Sequence, residues 1–385
     1  VSYQDIIDTA ITLDFETKKI EGRPAYPPEP VGLAIRWPSG VSKYLAWGHP
    51  EGNTCTKKHA VSILKSIWHS GAPLLFFNAK FDVAVALEKF GLRDLPWDRI
   101  HDVMFLSFLF DPHAQNLDLK SLAAEVLNWP AEERDAVGVW LWENRQQMFE
   151  ETGERVTKNK KGEVQTGKWI SKVPVAIAGP YAIGDVDRTW KLFERLLPLI
   201  ADVGMLPAYD RERKVLPIFM ENERDGITVD VEALTKDVPR YKASLKRADK
   251  LLRLMLDSPD LNINSDKQLA RAFTNAEIID DNDWVYTPPS KRFPCGQKSV
   301  SKDNLTFDLF LDEDVARVFN YRNRLTTMLN TFLIPWLEQA RINGGKITTN
   351  WNQVRGGHGG ARTGRPSTSK HNFLNIPKIV AYDDD

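Results

Sequence analysis

Ile11-Thr12-Leu13-Asp14-Phe15-Glu16-Thr17 is the stretch on which the reading of the whole chain turns. Apolar Ile11, Leu13 and Phe15 alternate with Thr12, Asp14 and Glu16, which is the two-residue period of a β-strand. On a strand, Asp14 and Glu16 point to one face, roughly 6–7 Å apart. Carboxylates that close repel each other, and burying them is costly unless a cation lies between them. An isolated D-x-E is most often a solvated strand end. Here Asp82, Tyr181 and Asp185 downstream shift the balance towards a site.

The chain has 385 residues, 42% hydrophobic and 27% charged, enough apolar material for two or three globular domains. Its formal net charge of −1 points to no partner, so only the distribution of charge can do so. Cys55 and Cys295 lie far apart, which argues against a disulfide framework and for a reducing compartment. Seven His and two Cys make no zinc spacing. No apolar run reaches membrane-span length and no signal-peptide pattern opens the chain, so a cytoplasmic protein without a membrane partner is expected.

After the acidic strand, a proline-bearing loop leads to strands expected over 31–37 and 43–47, a three-stranded antiparallel meander. Helical spacing covers 57–70, a short buried strand 74–77, and a helix opens at Asn78-Ala79-Lys80-Phe81-Asp82. Residues 100–110 are apolar behind His101-Asp102, and 117–127 read as another helix. The polar, lysine-rich stretch 150–170 is expected to be an exposed hairpin or mobile insertion. A strong helix is expected to start at Pro180 and run to 200. Further on, 211–224 is amphipathic and closes on Asp225-Gly226, and 231–256 forms a long helix. One face of that helix carries Lys242, Lys246, Lys250 and Arg253. From 315 to 378 there are ten Lys and Arg against one acid, Glu338, a local balance that fits a phosphate backbone. The glycine run 356–360 lacks the Gly-Lys-Ser/Thr of a phosphate loop and reads as a plain loop.

Tyr181 and Asp185 stand at i and i+4, on one helix face. Asp14, Glu16, Asp82 and Asp185 together offer four hard oxygen ligands and no soft ones, which suits Mg²⁺ or Mn²⁺. Gathered in one cleft, they could bind two divalent ions roughly 3.5–4 Å apart, the arrangement that clamps a phosphoryl displacement.

Leu13-Asp14-Phe15-Glu16-Thr17, Asn78-x-x-x-Asp82 and Tyr181-x-x-x-Asp185, in that order, resemble the motifs of the Tyr subtype of the DEDD 3′–5′ exonucleases. The resemblance implies a ribonuclease H-like fold and two ions. Asp14 would bridge both, Glu16 and Asp185 would bind the first, and Asp82 would hold the second largely through water. Tyr181 would orient the attacking water with Glu16, while Thr17 and Asn78 match positions near the terminal nucleotide. His101-Asp102 resembles a further family segment, which implies for Asp102 a structural role or one supporting the ligands, not that of a ligand.

The segment 212–230, Asn264-Ser265 with Gln268-Leu269, and 298–305 resemble the linker and thumb of family A DNA polymerases, most closely the phage-type members. Asn352-Gln353, 363–369 and 372–377 resemble the primer-template motif before the polymerase palm, where Arg365 would contact the primer strand. The family's palm carboxylates and fingers would lie beyond residue 385. The resemblance therefore implies a mixed-sheet α/β exonuclease domain over 1–205, a mainly helical thumb-like region over 206–340 and an incomplete palm hairpin region over 341–385. It implies DNA, as single-stranded 3′ ends and primer-template, as partner, and two origins for the chain: half of a split polymerase, with a separate chain carrying palm and fingers, or a truncated fragment. Host cytoplasm is the expected setting if the chain is phage-encoded. The palm hairpin residues Ile347 and Trp351 are then expected to lack the sheet they pack on. A stand-alone exonuclease of DNA or RNA processing and a non-catalytic DNA-binding subunit are the alternatives. The polymerase-like sequence counts against the first and the intact carboxylate quartet against the second.

Overall fold

The computed structural model describes residues 2–354 and 361–376, except 24, 94, 95, 115, 131, 160, 161, 292 and 302. The glycine run 356–360 and the stretch 377–385, with Asp383–Asp385, lie outside the described residues.

Helix α1 (Tyr3–Thr9) leads into β1 (Ile11–Thr17), the alternating acidic strand. It occupies the centre of a five-stranded sheet with β2 (Pro30–Arg36), β3 (Ser42–Ala46), β4 (Leu74–Phe76) and β5 (Ile100–Asp102), in the order β3-β2-β1-β4-β5. The expected meander is present, with β1–β2 and β2–β3 antiparallel. Strand β4 joins β1 in parallel, and β5 joins β4 in parallel. Parallel neighbours need crossovers, which α2 (Lys57–Trp68) and α3 (Ala79–Phe90) supply.

Alternation along β1 divides its side chains between two environments. Ile11, Leu13 and Phe15 enter the main core beside Leu33, Ile35, Leu64 and Leu74. Leu13 is fully enclosed there, so Leu13→Ala would cost about 2–5 kcal/mol. The opposite face runs under α8 (Val175–Asp202), whose Val175, Ala182 and Val186 cover Ala34, Tyr44 and Ala46. Small residues stand beside the acids on this face, since Asp14 pairs with Ala34 and Glu16 with Gly32. A Cβ on Gly32 would meet the Tyr44 hydroxyl at 2.0 Å, so glycine is required where that ring crosses the strand.

Between β5 and α8 lie α4 (Val103–Phe110), α5 (Leu119–Leu127), α6 (Glu132–Glu143) and α7 (Arg145–Thr152). The stretch 150–170 is hairpin-like through a Lys158–Val164 bridge and is largely exposed. It is anchored all the same, because Val156, Trp169 and Ile170 bury with Val137, Leu141 and Met148 in a separate apolar cluster. Helix α8 begins at Val175, ahead of the expected Pro180. Pro180 and Pro198 both sit inside it, tolerated because the helix is held by its buried face over the sheet.

Helix α9 (Leu206–Asp225) ends at Gly226, whose φ of 68° favours glycine. The chain divides into two compact units. The first comprises Val1–Gly226 and Thr348–Ser369, so α9 groups with the sheet, past the expected boundary at 205. The second comprises residues 227–347 and the described residues 370–376. In the second unit, β6 (Ile227–Thr228) leads to α10 (Val231–Met255), N-capped by Asp230. There follow α11 (Asp266–Asn275), α12 (Glu313–Thr327), a π-helical turn over Met328–Leu333, α13 (Ile334–Ile342) and β7 (Lys346–Ile347). Two cores hold this unit, one around Tyr241, Leu325 and Leu329, the other around Phe273, Phe310 and Phe319.

Ile347 and Trp351, expected to lack the sheet they pack on, stand in two-stranded ladders and find other cover. Ile347 is 1% exposed and pairs with Ile227 across the β6–β7 ladder. Strand β8 (Asn350–Asn352), paired with β9 (Ser367–Ser369), belongs to the first unit. There Trp351 stacks on Phe219 of α9 at 4.9 Å, and its indole N–H donates to Asn222 Oδ1 at 2.8 Å. Trp351 is thus covered by α9.

Candidate active site

Three carboxylates converge in the first unit. One ligand atom each from Asp14 and Glu16 of β1 and Asp185 of α8 lie within 4.8 Å of one another, the metal-competent group among the described residues. Two like charges at that separation repel by about 3–4 kcal/mol at an effective dielectric near 20. Glu16 and Asp185 are buried, and Asp14 is partly open. Burial, then repulsion from Asp185, pushes the Asp14 carboxyl up to about 7, against the pull of Lys120. Burial and both neighbouring acids likewise hold Glu16 well above the usual carboxylate range.

Asp82 stands beside this group, with its Oδ1 accepting the Phe15 backbone N–H at 2.8 Å. Burial and Asp14 raise its pKa, and the Phe15 amide opposes them. Its position is set by the start of α3. Asn78 precedes that helix in the left-handed region, φ 63°, and its amide and that of Ala79 donate to the two oxygens of Asp102 at 2.9 and 2.8 Å. Asp102 also accepts from Met104 N at 2.9 Å, so one carboxylate caps two helices. Burial lifts Asp102 to about 6 despite these three backbone donors.

Tyr181 lies one turn before Asp185 on α8, half-buried, with its phenol raised by burial and by Asp185, so it remains protonated near neutrality. The structure adds a residue that the motifs do not contain. Lys120, in the first turn of α5, ion-pairs with Asp185 Oδ2 and lies over the Tyr181 ring at 4.0 Å. Burial works against its charge, but Asp185 and Tyr181 outweigh that and raise its pKa.

The remaining sequence-derived positions behave differently. Thr17 is buried at the irregular end of β1, and its hydroxyl donates to the Lys18 carbonyl at 2.9 Å. Asn78 makes no capping bond with its side chain and lines a cavity of about 340 Å³ with Phe105, Phe219 and Trp351. Arg365 is exposed on the turn before β9. In the second unit Lys246 and Lys250 are exposed, whereas Arg253 is half-buried and donates from Nε to the Leu261 carbonyl at 2.8 Å.

The donor set fits hard divalent cations. It contains only carboxylate oxygens, and one lysine charge against three acids, four with Asp82, leaves two or three negative charges to be met.

A family model of the 3′–5′ exonuclease of DNA polymerase A matches residues 8–201, a span that holds every one of these carboxylates. The chain belongs to the DNA polymerase A 3′–5′ exonuclease family. The exonuclease match is accompanied by likeness to parts of DNA polymerases. DNA polymerase DpoZ of Vibrio phage phiVC8 is 26% identical over 210 residues, 54% of this chain and 32% of that protein. DNA polymerase I of Chloroflexus aurantiacus is 30% identical over 211 residues, 54% of this chain and 21% of that protein. DNA polymerase I of Treponema pallidum is 22% identical over 348 residues, 84% of this chain and 30% of that protein. The chain thus spans less than a third of the length of these relatives. Among solved structures, the POL domain of Pol1 from M. smegmatis, in complex with DNA primer-template and dNTP, matches with a TM-score of 0.62 at 19% identity. The match covers 95% of this chain and 52% of that one, and it shows that the exonuclease fold and helical region follow the polymerase I architecture. No helix among the described residues is long and apolar enough to cross a membrane.

Proposed function

We propose that this chain removes 5′-mononucleotides from DNA 3′ ends by a two-metal hydrolysis, as the proofreading part of a family A DNA polymerase. The observation that carries the reading is the convergence of Asp14, Glu16 and Asp185 within 4.8 Å on a buried face, with Asp82 beside them. A globular protein has no stability reason to gather acids there, since each pair costs free energy until a cation joins them.

Asp14, Glu16 and Asp185 would hold one Mg²⁺ or Mn²⁺, and Asp14 with Asp82 the other. When bound, such ions lower the pKa of water and offset charge on the leaving oxygen. Glu16, once ionised, would accept a hydrogen bond from the attacking water, and Tyr181, kept protonated, would donate one and fix its direction. Asn78, which lines a cavity with Phe219 and Trp351, would approach the terminal nucleotide. Because the likeness to Treponema pallidum DNA polymerase I extends over 84% of the chain, attachment to a polymerase is favoured over a stand-alone nuclease. DNA as partner is supported by the primer-template in the M. smegmatis structure, whose fold this chain shares. The exposed Lys246 and Lys250 would add phosphate contacts, and Arg365 would reach the primer strand.

The test is incubation with a 5′-labelled single-stranded oligonucleotide, with Mg²⁺ or with excess chelator. A ladder shortened one nucleotide at a time from the 3′ end, and only with metal, is expected. Cleavage that proceeds unchanged in chelator contradicts the reading.

A further inference from the structure

We propose that Lys120 is a positioning residue of this site, fixing Asp185 and Tyr181 together through its ammonium group. The inference rests on the exonuclease reading above, but it concerns a residue outside the motifs that define that reading.

Helix α5 starts at Leu119 behind Asp118, whose carboxylate accepts the Ser121 N–H at 3.0 Å. This cap sets Lys120 in the first turn, and α5 packs along α8. The ammonium then meets two residues one turn apart on α8: it pairs with Asp185 Oδ2 and lies 4.0 Å from the centre of the Tyr181 ring. The Lys120 and Asp185 side chains are only 13% and 9% exposed. An enclosed ion pair of this kind is seldom the cheapest way to join two helices, because apolar residues of equal volume avoid the desolvation. Its use lies in what it orients.

A carboxylate has two oxygens. Fixing one on an ammonium limits rotation of the group and decides which edge is turned towards Asp14 and Glu16. A cation on the face of a phenol ring likewise limits its tilt. Lys120 therefore sets a ligand and a water-orienting hydroxyl by one contact. The same charge repels a divalent ion, so the site gives up some metal affinity for orientation.

That trade supplies a signature that damage to the fold would not produce. In the full-length chain, Lys120→Met should bind Mn²⁺ in the absence of DNA about threefold tighter or more by calorimetry, since a nearby positive charge is gone. Its turnover on a single-stranded oligonucleotide should nevertheless fall about tenfold or more with KM little changed, as for a group that acts in the transition state. Lys120→Arg should restore most of the turnover. Lys120→Met combined with Tyr181→Phe should cost little more than the larger single effect.

Unchanged turnover in Lys120→Met overturns the proposal. So does weaker Mn²⁺ binding together with slower turnover and a lower melting temperature in chelator, which would mark Lys120 as a prop of the fold. If Lys120→Met does not fold, the cycle is run with Lys120→Gln and Tyr181→Phe, and fully multiplicative losses overturn it. A wild-type chain that binds Mn²⁺ but hydrolyses no DNA would instead remove the exonuclease reading and this proposal with it.

Discussion

The acids around Asp14 and the bases along α10 are both clusters of like charge, yet the fold houses them in opposite ways. Asp14, Glu16, Asp82 and Asp185 are drawn under α8 or against the β1 backbone, where burial lifts three of them above the usual carboxylate range. Lys242, Lys246 and Lys250 stay in water, where each costs the fold nothing. Concentrated charge held against its own repulsion marks a place where a counter-charge is meant to arrive. Dispersed charge on a helix face marks at most a surface on which many weak contacts add up.

This contrast can be broken at its strong end first. Asp14→Ala should reduce hydrolysis by about 10³-fold or more, measured as mononucleotide release, because the residue that would bridge both ions is lost. Tyr181→Phe should reduce it by about 10–100-fold, since water orientation goes while every carboxylate remains. Equal, negligible effects would place the chemistry elsewhere.

The cost of burying the acids should also be visible without substrate. With Asp14 raised from about 3.8 to about 7, the folded chain holds a proton that the unfolded chain has released between these values. Unfolding then releases that proton, so the Asp14 contribution to metal-free stability should fall as pH rises from about 4 to about 7, and Glu16 and Asp82, raised in the same sense, add to the fall. Asp14→Asn, which cannot ionise, should show a shallower pH dependence, the part owed to Glu16 and Asp82 remaining, and melt higher than wild type in chelator at pH 8. A wild-type melting temperature that rises across this window in chelator would contradict the burial account.

The weak end predicts smaller effects. Lys246→Ala with Lys250→Ala should lower DNA affinity a few-fold and reduce the salt slope by about 2, near 0.9 for each phosphate contact. Arg253→Ala should chiefly cost stability, about 1 kcal/mol, through its bond to the Leu261 carbonyl. A double lysine variant with unchanged affinity and slope would leave α10 a solvated face.

The same contrast explains what could be read before any coordinates. The alternation of Ile11 to Glu16 and the i, i+4 spacing of Tyr181 and Asp185 are local patterns, and local patterns dictate which side chains share a face. The antiparallel meander of β1, β2 and β3 also follows from its short connections, whereas the parallel addition of β4 and β5 depends on crossovers that no local pattern states. Lys120 could not be read in this way. Within Leu119-Lys120-Ser121-Leu122 it has the spacing of a solvent-facing lysine, and only the packing of α5 on α8 brings it to Asp185. Arg253 was legible as a charge on a helix face but not as a partner of Leu261, which depends on the turn that follows α10. Trp351 and Ile347 escaped for a similar reason, because the surfaces that cover them, Phe219 and Ile227, lie more than a hundred residues earlier. The start of α8 at Val175 shows the limit of proline as a helix-start signal where tertiary packing decides.

The central claim is that the buried acids form a metal centre, and Mn²⁺ titration tests it without relying on turnover. Calorimetry at pH 8, where the Asp14 carboxyl is ionised, should detect Mn²⁺ binding by the wild-type chain and its loss, or weakening by about tenfold or more, in Asp14→Ala. Equal Mn²⁺ binding by the two proteins would contradict the claim.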